Sequence, residues 1–459
     1  MAELIRQEYR LPAVRFSMQF VGREPVVQIR AYHGQEELDV VPVPAADVGI
    51  RERLSVRAYR SAQFQLPRPA IERLAGALSG RGSDDTVWLQ IDRSAGFLAV
   101  VPWERLLAPA MPGPLLRIPN FLADPAFIEG PLQLAVCASA PAAKQFYPVA
   151  DFTIALIERI QQAVAQGTDI HVFADRDAGY SLQNRFAAGA AASPHRVTVH
   201  DPARAVPFGA GESAISESEQ LRSPWLRWME AELGDSSIDA VHFVCPGYFN
   251  SERGFLALAR SPVDNEDEAW SHFVGCRELC TFLDDLGAGA VALGAPHEDA
   301  WALGLRLLAD DLAWTRPGPV IHYEADGRID AVAQAYQFLF SDQYAPPPGR
   351  GGLLFYCHPR RLDRYHEVPF FVSPSLSTAD PGHEWLSLTR EQVASKAPRL
   401  RTRGPAAAPP EPRWARANRL MIEQSLLDLG DQHGAAARGA SDALRFLSDL
   451  QSKYLKETK

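Results

Sequence analysis

The chain has 459 residues, 46% hydrophobic and 22% charged, with 46 basic against 56 acidic side chains and a formal net charge of −10. At about 150 residues per domain this allows two or three domains, and so much apolar sequence excludes wholesale disorder. The acidic balance argues against a nucleic-acid protein working through bulk charge. Lys144, Lys396, Lys453, Lys456 and Lys459 are the only lysines, so the basic residues are nearly all arginine. The five cysteines are far apart except Cys276 and Cys280, which does not read as a secreted disulfide framework. The first residues carry acidic charges and no apolar core of signal-peptide length, and no stretch reaches 18 uncharged apolar residues. A cytoplasmic protein without a membrane span is expected.

In chain order, Val14–Val21 and Val26–Tyr32 alternate apolar and polar residues around a turn at Gly22–Pro25, and Leu54–Tyr59 alternates too. This predicts a small antiparallel sheet in an N-terminal β-rich region over 1–85. Ala70–Leu78 has helical spacing, Trp88–Ile91 reads as a strand, and Val101–Leu107 opens a helix with Pro102 in its first turn. From about residue 130 the rhythm changes. Strands are predicted at Leu132–Ala138, Asp169–Phe173, Ala240–Cys245, Ala290–Gly294 and Val320–Tyr323. Helices are predicted at Phe152–Ala165, Trp225–Leu233, Phe273–Leu286 and Ala300–Trp314. Alternation of this kind implies an α/β fold with a mostly parallel sheet flanked by helices. In such sheets chemistry sits beyond the carboxyl ends of the strands, here after Cys137, Cys245, Gly294 and Tyr323. Leu353–Cys357 and Val368–Val372 read as extra strands. A Pro/Arg-rich linker over 396–413 then leads to a helical pair over 414–459.

Several segments, in order, resemble the CHAT family of caspase- and separase-like cysteine peptidases. Gly96–Leu107, with Pro102-Trp103-Glu104, is similar to the family's entry helix, and Val241–Phe249 to its strand ending in His-Gly. Gly254–Leu258 is similar to the small strand after that loop. Ala290–His297 resembles the strand that ends in the nucleophilic Cys, and Gly318–Ile321 the strand after the next helix. The likeness runs over roughly 86 to 345 and implies a caspase-like domain over 86–395. Family chemistry requires a Cys thiolate and a His that takes its proton. The matching positions hold Pro246 and Pro296, which carry neither group. The resemblance therefore implies an inactive CHAT-like pseudo-peptidase, without a cofactor or metal, that binds, scaffolds or regulates in bacterial defence or regulated proteolysis. The expected partner is a protein, either an active CHAT peptidase or its substrate, or a second copy held through the C-terminal helices.

Two other readings stay open. Cys245 and His297 flank the two prolines and would form a displaced dyad in an active cysteine peptidase, although a one-residue shift along a strand turns a side chain to the opposite face. A small-molecule sensor using the strand-end crevice is the third reading; the Gly287–Gly289 turn has no phosphate-loop pattern. Gly247, Tyr248, Glu298 and Asp299 are candidates for a peptide or partner groove, the last two favoured near a helix N-terminus. Cys276 and Cys280 lie one helical turn apart but lack the further ligands a zinc site needs, so they read as packing residues. His242 is expected to be a packed core histidine, Cys357-His358 an incidental neighbour pair, and Trp103 and Glu104 structural.

Overall fold

The computed structural model describes residues 9–371 except 35, 51–62, 81–85, 93–96, 112, 120–129, 140, 142–147, 187–192, 206–220, 235, 251–252, 264–270, 296–298, 325–327, 342–344, 350–352 and 362–369. The strand expected at Leu54–Tyr59, the linker and the C-terminal helical pair lie outside these residues. A short strand, Tyr9–Arg10 (β1), is followed by an antiparallel meander of Pro12–Val21 (β2), Glu24–His33 (β3) and Glu36–Pro44 (β4). The β2–β3 turn is Gly22-Arg23, and Gly22 has the positive φ of 67° that a tight hairpin demands. Next come Ala45–Val48 (α1), Arg68–Leu78 (α2), Val87–Ile91 (β5), Phe97–Val100 (α3), Trp103–Leu107 (α4) and Leu115–Arg117 (β6). The segment resembling an entry helix is thus two short helices, separated at Val101-Pro102, where proline cannot continue the hydrogen-bond ladder.

The alternating part runs Leu132–Ala138 (β7), Val149–Ala163 (α5), Thr168–Ala174 (β8), Arg176–Phe186 (α6), His195–Val199 (β9), Pro224–Leu233 (α7) and Ala240–Val244 (β10). A small antiparallel sheet of Gly247–Asn250 (β11), Arg253–Ala259 (β12) and Ser271–Gly275 (β13) interrupts it. Then follow Cys276–Leu286 (α8), Ala290–Ala295 (β14), Asp299–Thr315 (α9), Val320–Glu324 (β15), Ile329–Phe340 (α10), Leu353–Tyr356 (β16) and Phe370–Phe371 (β17). β17 pairs with β1. Residues 271–275, expected to lie at the start of a helix or before it, form β13; pairing with β12 overrides the helical spacing of Phe273 and Val274. Helix α8 ends where Gly287 turns left-handed and Ala288 N–H bonds back to the Leu283 carbonyl.

Twelve strands form one sheet in the order β4-β3-β2-β5-β6-β16-β15-β14-β10-β7-β8-β9. Eight of its eleven described pairings are parallel. The N-terminal meander is therefore continuous with the α/β part, because β5 covers the edge that β2 leaves open. Central strands such as β7 are buried at every residue, as strands covered on both faces must be. Helices α5, α6 and α10 pack on one face through Leu156, Ile160, Leu182, Tyr336 and Leu339. Helices α7, α8 and α9 pack on the other through Trp225, Trp228, Phe282, Leu283, Leu305 and Leu312. A third core, under α2 and α4, joins Phe16, Ile29, Leu74, Leu89 and Trp103. No helix among the described residues is long and apolar enough to cross a membrane.

Candidate functional site

Strand order reverses about β7: its successor β8 lies on one side and β10 on the other. At such a switch point a crevice opens beyond the carboxyl ends. Here the ends of β7, β10 and β14 are level, with Val244 opposite both Ala138 and Gly294. The chain stays bonded as it leaves the sheet. Cys245 N–H donates to the Gly294 carbonyl at 3.2 Å, and Ser139 N–H to the Val244 carbonyl at 3.0 Å. The small sheet is tied to this rim. Ala257 N–H donates to the Pro246 carbonyl at 2.9 Å, and Ala259 N–H to Ser139 Oγ at 2.9 Å.

Strand parity decides what each residue of β10 offers. Val241, Phe243 and Cys245 point into the core under α7, α8 and α9. Ala240 and Val244 point the opposite way, into the core under α5 and α10. Cys245 is fully buried among apolar neighbours, and burial pushes its thiol well above the ordinary range. Cys137 on β7 shares that core; burial, then the nearby Cys245, raises its thiol too. Pro246 is buried, and Gly247 is buried opposite Leu256. Tyr248 is 46% exposed and packs, with its ring tilted, against Phe273, likewise 46% exposed, at 4.4 Å between ring centres. Pro296, His297 and Glu298 lie outside the described residues, and Asp299 opens α9.

The other candidates resolve individually. His242 is buried between two tyrosines, with Nδ1 3.0 Å from Tyr336 Oη and Nε2 2.7 Å from Tyr323 Oη. Burial holds its imidazole neutral, down at about 3. Cys357 is buried and its thiol raised by burial. Among the described residues, no group of three or more His, Cys, Asp and Glu is placed to hold a metal ion.

Sequence reasoning missed Ser139 and Phe273 as parts of this rim. Ser139 follows an apolar strand, which is the signal for it. Phe273 was hidden by its inclusion in a helix. Gly304, in the interior of α9, was also unread, although a glycine within a helical pattern usually has a packing reason. A Cβ there would come within 2.6 Å of the Tyr248 backbone nitrogen and oxygen, so Gly304 lets α9 touch β11 directly. Comparison with known proteins gave no matching family model and no matching curated sequence.

Proposed function

We propose that this chain is a catalytically silent protein with a CHAT-like, caspase-like domain, and that it works by binding a protein partner in regulated proteolysis or defence. The observation that carries the reading is the state of Cys245. The thiol nearest the end of β10 is sealed in the helix-layer core and held protonated by burial. A thiol so placed neither meets a substrate carbonyl nor loses its proton at neutral pH. Pro246, at the position matching the family's histidine, has no side-chain group to take a proton. The same rim offers Tyr248 and Phe273, a half-exposed aromatic pair of the kind that anchors protein contacts.

The test uses the full chain at neutral pH with fluorogenic Arg peptides and a thiol-reactive peptide probe. The expected result is no turnover and no label on Cys245. Turnover that follows the protein through purification and is lost in Cys245→Ala overturns the reading. So does a label on Cys245 that disappears in His297→Ala, because that is the displaced dyad at work. A large thermal shift with a nucleotide would instead favour the small-molecule sensor.

A further inference from the structure

Away from the strand-end rim, the sulfurs of Cys276 and Cys280 lie 3.9 Å apart, one turn from each other at the start of α8. Both are partly exposed, unlike Cys137, Cys245 and Cys357. Thr315, the last residue of α9, sits over them, with Oγ1 3.2 Å from the Cys276 sulfur and 3.5 Å from the Cys280 sulfur. Its hydroxyl proton is committed to the Asp311 carbonyl at 2.8 Å, so the hydroxyl oxygen is left to accept from the thiols. The next residue, Arg316, turns toward the other end of α8. Arg316 is 3% exposed and gives one N–H to the Ala288 carbonyl, but its Nε and Nη1 have no hydrogen-bond partner. Its charge acts on Cys280. A buried positive charge favours the negative form of a nearby group without a direct bond, and the Cys280 thiolate is that form.

We propose that Cys276 and Cys280 form a redox-active dithiol, which a hydroperoxide converts to a disulfide within α8, with Cys280 as the attacking sulfur. In the first step the Cys280 thiolate attacks one peroxide oxygen and the O–O bond breaks. Cys280 becomes a sulfenic acid, and the leaving hydroxide takes up the proton the thiol released, as water. In the second step the Cys276 sulfur attacks the Cys280 sulfur. The S–O bond breaks, and the hydroxide leaves with the Cys276 proton as a second water. Two thiols lose two electrons, and one peroxide is reduced to two waters (or to water and an alcohol).

The order of attack follows from the surroundings. The hydrogen bond from Cys276 and then the charge on Arg316 hold the Cys280 thiol below its ordinary range against the cost of burial. The same shared bond, with burial, pushes Cys276 up; Asp311 adds to this, as Asp284 opposes the lowering of Cys280. The backbone allows closure. Residues one turn apart on a helix have Cα atoms about 6.2 Å apart, inside the range for disulfides. The Cβ atoms must approach, and Cys276 can yield because it is the first helical residue, directly after β13. Such a strained bond is readily reduced again, as a switch requires.

Trypsin cuts after Arg277, between the two cysteines, so the disulfide appears as a linked pair of peptides that separates on reduction. The full chain treated with stoichiometric hydrogen peroxide should give that linked pair and leave Cys137, Cys245 and Cys357 reduced. In Cys276→Ser, peroxide should instead leave a sulfenic acid on Cys280 that dimedone traps. Arg316→Gln should slow oxidation of Cys280 by about tenfold. The proposal is overturned if both thiols stay reduced, if Cys276 is trapped as sulfenic acid in Cys280→Ser as fast as Cys280 in Cys276→Ser, or if the three buried cysteines react equally quickly.

Discussion

Two histidines in the core set how the protein responds to acid. His242 is enclosed by Tyr323 and Tyr336, and His322, 3% exposed, bonds through Nδ1 to the Leu293 carbonyl at 3.0 Å. Burial brings both imidazoles down to about 3, and for His322 the charge on Arg306 adds to it. Unfolded, each would titrate near 6.5. Between these values the unfolded chain binds more protons than the folded one, so stability is full above about pH 6.5 and falls as pH drops toward 3. The expected loss is about 2 kcal/mol per imidazole by pH 5. His171 and His200, lowered mainly by burial, act in the same direction. Urea unfolding at pH 7 and pH 5 reads this directly, and equal midpoints would show that these rings are not buried neutral. At this scale His242 was legible from its place inside an apolar strand, whereas the tyrosines that satisfy it come from residues 81 and 94 positions away, beyond any local pattern.

The elements divide by how much of their environment is local. β2, β3, β7, β10, β14 and β15 carry their burial in their own alternation or apolar runs, and their expected spans agree with the structure to within a few residues. β4 lies in the β-rich region but has no clean alternation that singles it out; it is at the edge of the sheet, where Pro42 and Pro44, without an N–H, are tolerated. β9 at the opposite edge is mostly half-buried and polar, and β6 has only three residues, too few to show a period. The contact of α9 with the β11–β12 hairpin is likewise non-local. Gly304 and Gly254 face each other there, and a Cβ on Gly254 would collide with the Gly304 carbonyl. Gly304→Ala gains local helix propensity but must push Tyr248 and its strand outward. The overpacking cost of about 2 kcal/mol exceeds the propensity gain of about 1 kcal/mol, so a net loss is expected. Thermal unfolding and amide exchange across 247–258 measure it. An unchanged melting temperature with unchanged exchange would mean the helix and hairpin are not in backbone contact.

Across the whole molecule, one buried charge network fastens α4 and β6 to α9 and β16. Arg117 on β6 is completely buried. It donates through Nε to Glu104 on α4 at 2.5 Å and through Nη1 to Tyr356 on β16 at 3.0 Å, and Tyr356 donates to Asp310 on α9. Arg306 on α9 reaches Glu104 at 2.9 Å and also the carbonyls of Ala99 and Val101. Burial alone would raise the Glu104 carboxyl, but the charges of Arg117 and Arg306 overcome it and hold it at about 2. The Pro-Trp-Glu segment marked Glu104 as structural, yet its second arginine lies 202 residues away, which no sequence pattern reveals. Glu104→Gln would leave two guanidiniums without their shared counter-charge in a site closed to water. A loss of about 3 to 5 kcal/mol is expected, with little dependence on salt. Glu72→Gln serves as the contrast. Its pairing with Arg68 is on the surface, so its loss is expected to cost under about 1 kcal/mol and to vanish in high salt. Denaturant unfolding of the two variants at low and high ionic strength separates these cases. If they lose equal stability, the network is not what fastens α4 and β6 to α9 and β16, and the strand pairing and apolar packing there carry the junction.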